Sequence, residues 1–173
     1  SNEPITLAIL PFSPLSPAED IGFLSTGLPD AIITRLANVH QIRVRPTSTI
    51  LKYEGKEVSA RTAGQELACE YVVSGTLQKI GDHLQVNVQL VRTSDEVPLW
   101  GERFDKERTN LLDLQDAVAT QIADALRIKM TAAEQSRVYR RYTDNVKAYE
   151  LYLQGRSKLA RYNRDDTLAA TKA

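Results

Sequence analysis

The sequence predicts an α/β (α+β) domain in which helices cover one side of a mixed five-stranded sheet and a helical hairpin follows at the C-terminus. Two patterns support this prediction. Apolar and polar residues alternate strictly from Leu84 to Leu90, which is typical of a strand with one buried face. Apolar residues at intervals of three and four predict an amphipathic helix that begins near Leu111. We expect the element order β-α-β-α-β-β-β-α.

Four segments are predicted in the first part of the chain. The branched apolar run Ile5 to Phe12 predicts a buried first strand, and the proline-containing segment Ser13 to Pro17 predicts a loop. A helix is expected from about Gly27 to Ala37, with Pro29 in its first turn, where proline loses no hydrogen bond. The alternating run Gln41 to Arg45 predicts a second strand.

The next segment is less regular. Thr47 to Tyr53 is compatible with a short helix or with a loop. Ser59 can cap a short helix that runs to about Leu67. Gly64 inside this helix costs about 1 kcal/mol relative to alanine.

Three strand-like runs joined by short turns predict an antiparallel meander at Tyr71–Ile80, Leu84–Leu90 and Val97–Phe104. The inward residues of the middle run are Leu84, Val86, Val88 and Leu90. Its outward residues are His83, Gln85, Asn87 and Gln89. We expect the inward side to form the core.

The helix that follows the meander has the clearest helical spacing. Its inward stripe is Leu111, Leu114, Val118, Ile122 and Leu126. Its outward residues, predicted to form a plain solvated face, are Asp113, Asp116, Thr120 and Asp124. The composition changes after residue 130. We therefore predict a domain at residues 1–130, a short helix and linker at 131–143, and the first helices of a truncated helical-hairpin repeat region at 144–173.

Composition limits the possible functions. Of the 173 residues, 42% are hydrophobic and 25% are charged, which is the balance of a folded protein. The net charge is zero, with 22 basic and 22 acidic residues, and this argues against a nucleic-acid-binding surface. No apolar run reaches the roughly 18 residues that a membrane helix needs, so we expect no membrane contact by this chain.

A search for catalytic and metal-binding patterns returns little. His40, His83 and Cys69 lie far apart in the sequence, and zinc needs three or four ligands. Cys69 is expected to be a buried core thiol. Glu102 and Asp105 are more easily explained by surface ion pairing than by acid–base catalysis. We therefore predict no catalytic residue, no metal and no cofactor, and we expect that the chain is not an enzyme.

Aromatic residues are the remaining candidates for a binding site. Trp100 is expected to pack under a helix, and a role in binding a partner is the alternative. The tyrosines of the C-terminal segment allow the same two interpretations, packing between helices or a peptide-binding surface. The predicted partner-binding residues are Trp100, Tyr149, Tyr152 and Tyr162.

Several stretches in this order resemble the TolB amino-terminal-like domain of bacterial regulators. They are ITLAILPF (5–12), FLSTGLPDAIITRLANVHQIRVRPTST (23–49), the meander with its approach (65–107), LLDLQDAVATQIADAL (111–126) and NVKAYELYLQGRSKL (145–159). The resemblance implies a small α/β domain followed by tetratricopeptide repeats. It also implies an output module elsewhere, which is a winged-helix DNA-binding domain in CadC-like regulators, or a nucleotide cyclase, or a protein kinase. Ala68 replaces the glycine that usually ends the second helix of this family, so the helix exit is expected to differ.

The resemblance and the lack of a catalytic pattern lead to one functional prediction. The chain is expected to be the non-catalytic sensory or protein-interaction region of a bacterial signalling protein such as a CadC-like transcriptional regulator. It would bind a protein or peptide partner, could form an oligomer, and would reach DNA only through a domain outside this chain. Either the cytoplasm or the periplasm is compatible with it. The alternatives are a small-ligand receptor, or the interaction region of a cyclase or kinase.

Overall fold

A mixed six-stranded sheet is the centre of the fold in the computed structural model, which describes residues 3–15, 21–107, 111–126 and 154. The elements are β1 (Ile5–Ile9), β2 (Ser13–Pro14), α1 (Leu24–Leu36), β3 (Ile42–Val44), α2 (Thr47–Ile50), a 3-10 turn (Leu51–Tyr53), α3 (Ala60–Leu67), β4 (Tyr71–Ile80), β5 (His83–Arg92), β6 (Pro98–Glu107) and α4 (Leu111–Ala125). The strand order is β3-β1-β4-β5-β6, and β2 pairs with β4. The predicted α+β class and mixed sheet are confirmed.

The meander forms as the alternation predicts. β4 pairs antiparallel with β5 from Tyr71 opposite Arg92 to Ile80 opposite His83, and β5 pairs antiparallel with β6. The four inward residues of β5 are at most 1% exposed; they are Leu84, Val86, Val88 and Leu90. β1 pairs in parallel with both β3 and β4, which makes the sheet mixed.

The segment after β1 differs from the predicted loop. Ser13 and Pro14 form a second short strand that pairs in parallel with Thr76 and Leu77 of β4. Ile9 is opposite Val73, so four steps along this segment match only three steps along β4. The extra residue makes the chain bulge between the two strands. A proline at this place is tolerated because the strand is short and lies at an edge.

Helix α1 begins three residues earlier than predicted, at Leu24, and Pro29 therefore lies inside it rather than in its first turn. A proline inside a helix leaves the carbonyl four residues earlier without its usual donor. Here that carbonyl belongs to Ser25, and it accepts a hydrogen bond from the Phe12 N–H at 2.8 Å. The Ser25 hydroxyl also donates to the Phe12 carbonyl at 2.5 Å. The chain after β1 thus replaces the hydrogen bond that Pro29 removes.

Helices lie on both faces of the sheet, not on one face as predicted. Trp100, whose partner on β5 is the inward residue Leu90, donates to Gln121 of α4, and α4 in turn packs against α1. The helix α3 lies on the other face, where Gly64 is pressed against the side chain of Thr93. Strict alternation alone does not reveal this, because α3 covers only one end of the second face.

Helix α3 confirms the predicted cap and explains the glycine within it. The Ser59 hydroxyl accepts a hydrogen bond from the Thr62 N–H at 3.1 Å. A Cβ atom on Gly64 would lie 2.4 Å from Cβ of Thr93, so only glycine allows this helix to approach β5 so closely. Ala68 ends the helix in the left-handed conformation, with φ 54° and ψ 52°. The exit therefore has the geometry that glycine usually provides, and the expected difference at Ala68 is wrong.

Helix α4 buries its predicted stripe but not through apolar contacts alone. The first four stripe residues are at most 1% exposed; they are Leu111, Leu114, Val118 and Ile122. The outward face is not plainly solvated, because the side chain of Asp116 is only 13% exposed and lies 2.8 Å from the guanidinium of Arg35 on α1. Gln115 is fully buried and donates to the Ala31 carbonyl at 3.3 Å.

The C-terminal predictions fall mostly outside the described residues. The linker at 131–143 and, apart from Gln154, the helical repeat region at 144–173 lie there. The predicted domain boundaries therefore stay predictions. Cys69 is buried, at 6% exposure, as expected.

Candidate binding site on the second face of the sheet

A cavity of about 420 Å³ opens on the second face of the sheet, between the middle of the meander and the chain before α3. Its lining comes from three distant parts of the sequence: Leu10, Pro11 and Ser13; Tyr53, Lys56, Glu57 and Val58; and Ser74, Gly75, Thr76, Asn87 and Gln89. This volume is within the range of about 300–1,000 Å³ that small-molecule sites have.

The floor of the cavity is the polar side of two paired strands. Ser74 is opposite Gln89, and Thr76 is opposite Asn87. These four residues alternate with core residues, so their side chains point away from α1 and α4. The Asn87 amide donates to the Thr76 hydroxyl at 3.1 Å, and its oxygen accepts from Arg103 Nε at 3.1 Å. Asn87 is thereby held in one orientation.

The walls are fixed by backbone geometry. The bulge between β1 and β2 brings Leu10 and Pro11 to one side. On the other side, a tight turn after the 3-10 segment is closed by the Lys56 N–H, which donates to the Tyr53 carbonyl at 3.1 Å. Gly55 in this turn has φ +71°, a conformation that favours glycine. Both walls are therefore shaped by the backbone of the chain.

The walls carry two exposed charged side chains and one buried neutral side chain. Lys56 and Glu57 are exposed and carry opposite charges. Tyr53 is only 7% exposed, and its hydroxyl donates to Glu66 at 2.6 Å. Burial first, and the hydrogen bond to Glu66 second, raise the pKa of Tyr53 well above its ordinary value. Tyr53 is thus a neutral structural wall rather than an acid–base group.

A second cavity, of about 470 Å³, lies where α3 ends; its lining includes Ala68, Cys69, Glu70, Tyr71 and Arg92. Burial raises the pKa of the Cys69 thiol, although Arg45 opposes this effect. A thiol with a raised pKa is protonated near neutral pH and is a poor nucleophile. Arg45 also donates to the carbonyls of Leu67 and Ala68, at 2.8 and 3.0 Å, where the negative end of the α3 dipole lies.

The structure places the predicted partner-binding residues away from both cavities or outside the described ranges. Trp100 is half-buried on the core face, where its indole N–H donates to Gln121 at 3.1 Å and its ring centroid lies 6.3 Å from that of Phe104. Tyr149, Tyr152 and Tyr162 lie outside the described residues. Binding of a partner by these four residues stays a prediction.

The acidic residues considered for catalysis are separated. Glu102 is opposite Val88 and Asp105 is opposite Gln85, so they point to opposite faces of the sheet. Asp105 lies 3.0 Å from His83 Nδ1, and both side chains are about half exposed, at 54% and 52%. Within residues 3–15, 21–107 and 111–126, no three His, Cys, Asp or Glu residues are close enough to hold a metal ion.

Sequence reasoning found only part of this site. The alternation of β5 identified Asn87 and Gln89 as outward residues, so the floor was accessible from sequence. The contribution of Lys56 and Glu57 could not be predicted from the sequence, because residues 54–58 have no periodic pattern of apolar side chains. The turn formed by Gly55 was the only indication that this segment could fold back over a sheet.

A comparison with protein families shows which family the chain belongs to. Residues 3–121 match the second domain of HilA/YgeH-like transcriptional regulators. The chain belongs to this family. The match extends from the strand β1 into α4, so it includes every strand of the sheet and both cavities.

One relative is similar in sequence, and two solved structures are similar in fold. A Rhizobium meliloti (strain 1021) protein named "Putative adenylate cyclase 3" is 29% identical over 167 residues, which is 96% of this chain and 28% of that protein. TolB from Acinetobacter baumannii superposes with a TM-score of 0.54 at 20% identity, over 72% of this chain and 28% of TolB. Lipoprotein GNA1162 from Neisseria meningitidis gives 0.51 at 18% identity, over 70% and 99% of the two chains.

These likenesses confirm that the domain has a TolB-like fold. The chain spans little more than a quarter of the Rhizobium meliloti relative and of TolB. Within the described ranges, no helix has the length and hydrophobicity to cross a membrane.

Proposed function

We propose that this chain is a non-catalytic sensory and protein-interaction domain of a bacterial transcriptional regulator. The match of residues 3–121 to the second domain of HilA/YgeH-like regulators is the observation that carries the proposal. The neutral net charge supports a role other than direct DNA binding, since such surfaces are usually basic. The DNA-binding domain would lie outside residues 1–173.

The proposed mechanism is transmission of a binding event to the output domain. A protein or peptide partner, or a second copy of the chain, would bind the α/β domain or the predicted tetratricopeptide segment at 144–173. Helix α4 is suited to pass on the change, because it contacts α1 through the Arg35–Asp116 pair and is the last described helix before that segment in the sequence. Either side of the membrane is compatible with this mechanism.

The DNA part of the proposal can be tested with the purified chain. We expect no retardation of promoter DNA in a gel-shift assay at low salt, whereas the parent regulator should retard it. Salt-sensitive binding by the isolated chain would contradict the proposal. A parent protein lacking residues 3–121 should still bind promoter DNA but should lose its response in a transcriptional reporter.

A second candidate output is a nucleotide cyclase, because the Rhizobium meliloti relative named as an adenylate cyclase is 29% identical over 96% of this chain. In that case the same domain would regulate a cyclase and not a DNA-binding domain. Nucleotide cyclisation by the parent protein, with no gel shift of its promoter, would favour this alternative. The isolated chain should have no cyclase activity under either proposal.

A further inference from the structure

Hydrogen-bonding groups on the cavity floor are available to a ligand. Asn87 and Thr76 bond to each other, but the Ser74 hydroxyl and the Gln89 amide have no hydrogen-bond partner among the described residues. Ser74 and Gln89 are directly opposite each other on β4 and β5. Side chains in such a pair lie about 5 Å apart, so they can contact one small molecule together.

The charges at the rim limit what this molecule can be. Among the lining residues, Lys56 is the one cation and Glu57 is the one anion, and neither forms an ion pair within the described part of the chain. Recognition of phosphate groups usually needs several cationic or backbone N–H donors, so a nucleotide is a poor fit. One cation beside one anion instead complements a zwitterion, which has one positive group, one negative group and no net charge.

The positions of the two charges and the apolar walls indicate the chemical class of the ligand. Lys56 and Glu57 are consecutive, so both charges belong to one short stretch of the rim and sit on side chains long enough to reach one small ligand. The ammonium and carboxylate of a free α-amino acid are attached to the same carbon atom, so one such molecule can contact both side chains. Leu10, Pro11 and Val58 add an apolar surface that an aliphatic side chain could contact.

We propose that the cavity binds a free aliphatic α-amino acid. Glu57 would accept from its ammonium group, Lys56 would donate to its carboxylate, and Ser74 and Gln89 would complete the polar contacts. The side chain would lie against Leu10 and Val58. This inference deepens the proposed function, because it names the kind of signal that the regulatory domain would detect.

Titration calorimetry of the purified chain with L-leucine tests the proposal. We expect saturable one-to-one binding, and at least tenfold weaker binding of N-acetyl-L-leucine, L-leucinamide and L-leucyl-L-leucine. Glu57→Gln and Lys56→Gln should each weaken binding of L-leucine at least tenfold. Their matched controls are Glu102→Gln and Arg43→Gln, which remove an exposed charge that does not line the cavity and should change affinity less than twofold.

The outcomes separate this inference from the proposed function. No saturable binding up to about 10 mM, equal binding of the capped derivatives, or binding of L-glutamate in preference to L-leucine would overturn the amino-acid site. Thermal unfolding of each variant checks that it is folded. A transcriptional reporter with the parent protein is the second readout. If the response persists in Glu57→Gln, the regulatory function stands, but the amino acid is not its signal.

Discussion

Ala68 holds a backbone conformation that suits glycine better than alanine. Its φ of 54° and ψ of 52° lie in the left-handed region, and the next residue, Cys69, donates its backbone N–H to the Gly64 carbonyl at 2.9 Å, which closes the end of α3. A Cβ atom in this region costs roughly 1–2 kcal/mol, which the greater freedom of glycine in the unfolded chain offsets in part. The strain at Ala68 is the residue-scale consequence of a helix exit that the rest of the fold requires.

Ala68→Gly should therefore raise the free energy of unfolding by about 0.5–1 kcal/mol, as measured by urea denaturation. The matched control is Ala60→Gly, the same change at the first residue of α3, which should lower it. Equal changes in the free energy of unfolding for the two substitutions would mean that Ala68 is not strained by its left-handed conformation.

Tyr53 links the stability of the domain to alkaline pH. Its pKa is raised in the folded chain by burial and by the hydrogen bond to Glu66, while in the unfolded chain it stays near 10. Above pH 10 the unfolded chain loses this proton and the folded chain keeps it. The contribution of Tyr53 is thus fully present below pH 10 and declines as the pH rises above that value.

Tyr53→Phe should lower the free energy of unfolding at pH 8 by about 1 kcal/mol, because the hydrogen bond to Glu66 is lost. The difference from the native chain should shrink in urea denaturation curves recorded between pH 10 and 11.5, since phenylalanine does not titrate. A difference that stays constant or grows over this interval would show that Tyr53 does not titrate as described.

At the scale of the elements, Arg35 determines how α4 is attached. The guanidinium is 1% exposed and lies between α1 and α4, with Nε and Nη2 both 2.8 Å from the Asp116 carboxylate. Removal of one partner of a buried pair leaves a charge that water cannot reach, which typically costs about 3–5 kcal/mol. Replacement of both by apolar residues is often close to neutral.

Asp116→Asn should therefore lower the free energy of unfolding by about 3 kcal/mol, whereas the double variant Arg35→Met/Asp116→Leu should lose less than about 1 kcal/mol. Asp124→Asn is the control, because Asp124 is an exposed residue of the same helix and should change stability by less than about 0.5 kcal/mol. A double variant as unstable as Asp116→Asn would indicate that the pair itself stabilises the contact between helices.

Element boundaries were predictable where the signal was local. Ser59 caps α3 through its own hydroxyl and the nearby Thr62 N–H, and both are visible in the sequence. The position of Pro29 inside α1 was not predictable, because the group that replaces its missing hydrogen bond is the N–H of Phe12, 13 residues from Ser25. The short strand at Ser13 was missed for the same reason, since its partner lies on β4.

At the scale of the whole molecule, the described elements of the α/β domain share one buried core. The buried cluster contains residues from β1 through α4, from Leu7 to Ile122. A chain that ends at residue 130 should therefore unfold cooperatively, with a free energy of unfolding within about 0.5 kcal/mol of the full chain. The measurement is urea denaturation of both lengths. A loss above about 2 kcal/mol in the shorter chain would make residues 131–173 part of the same cooperative unit.

The sequence by itself determined the strands of the meander, the buried stripe of α4, the cap of α3 and the mixed α+β class. Each of these depends on the identity and spacing of residues that are close in the chain, so periodicity reports it directly. Only the tertiary structure decided that Arg35 meets Asp116, that Gly64 must fit against Thr93, and that Lys56 and Glu57 border a polar floor. These contacts join residues from separate elements, and their energy depends on how those elements pack, which no local pattern contains.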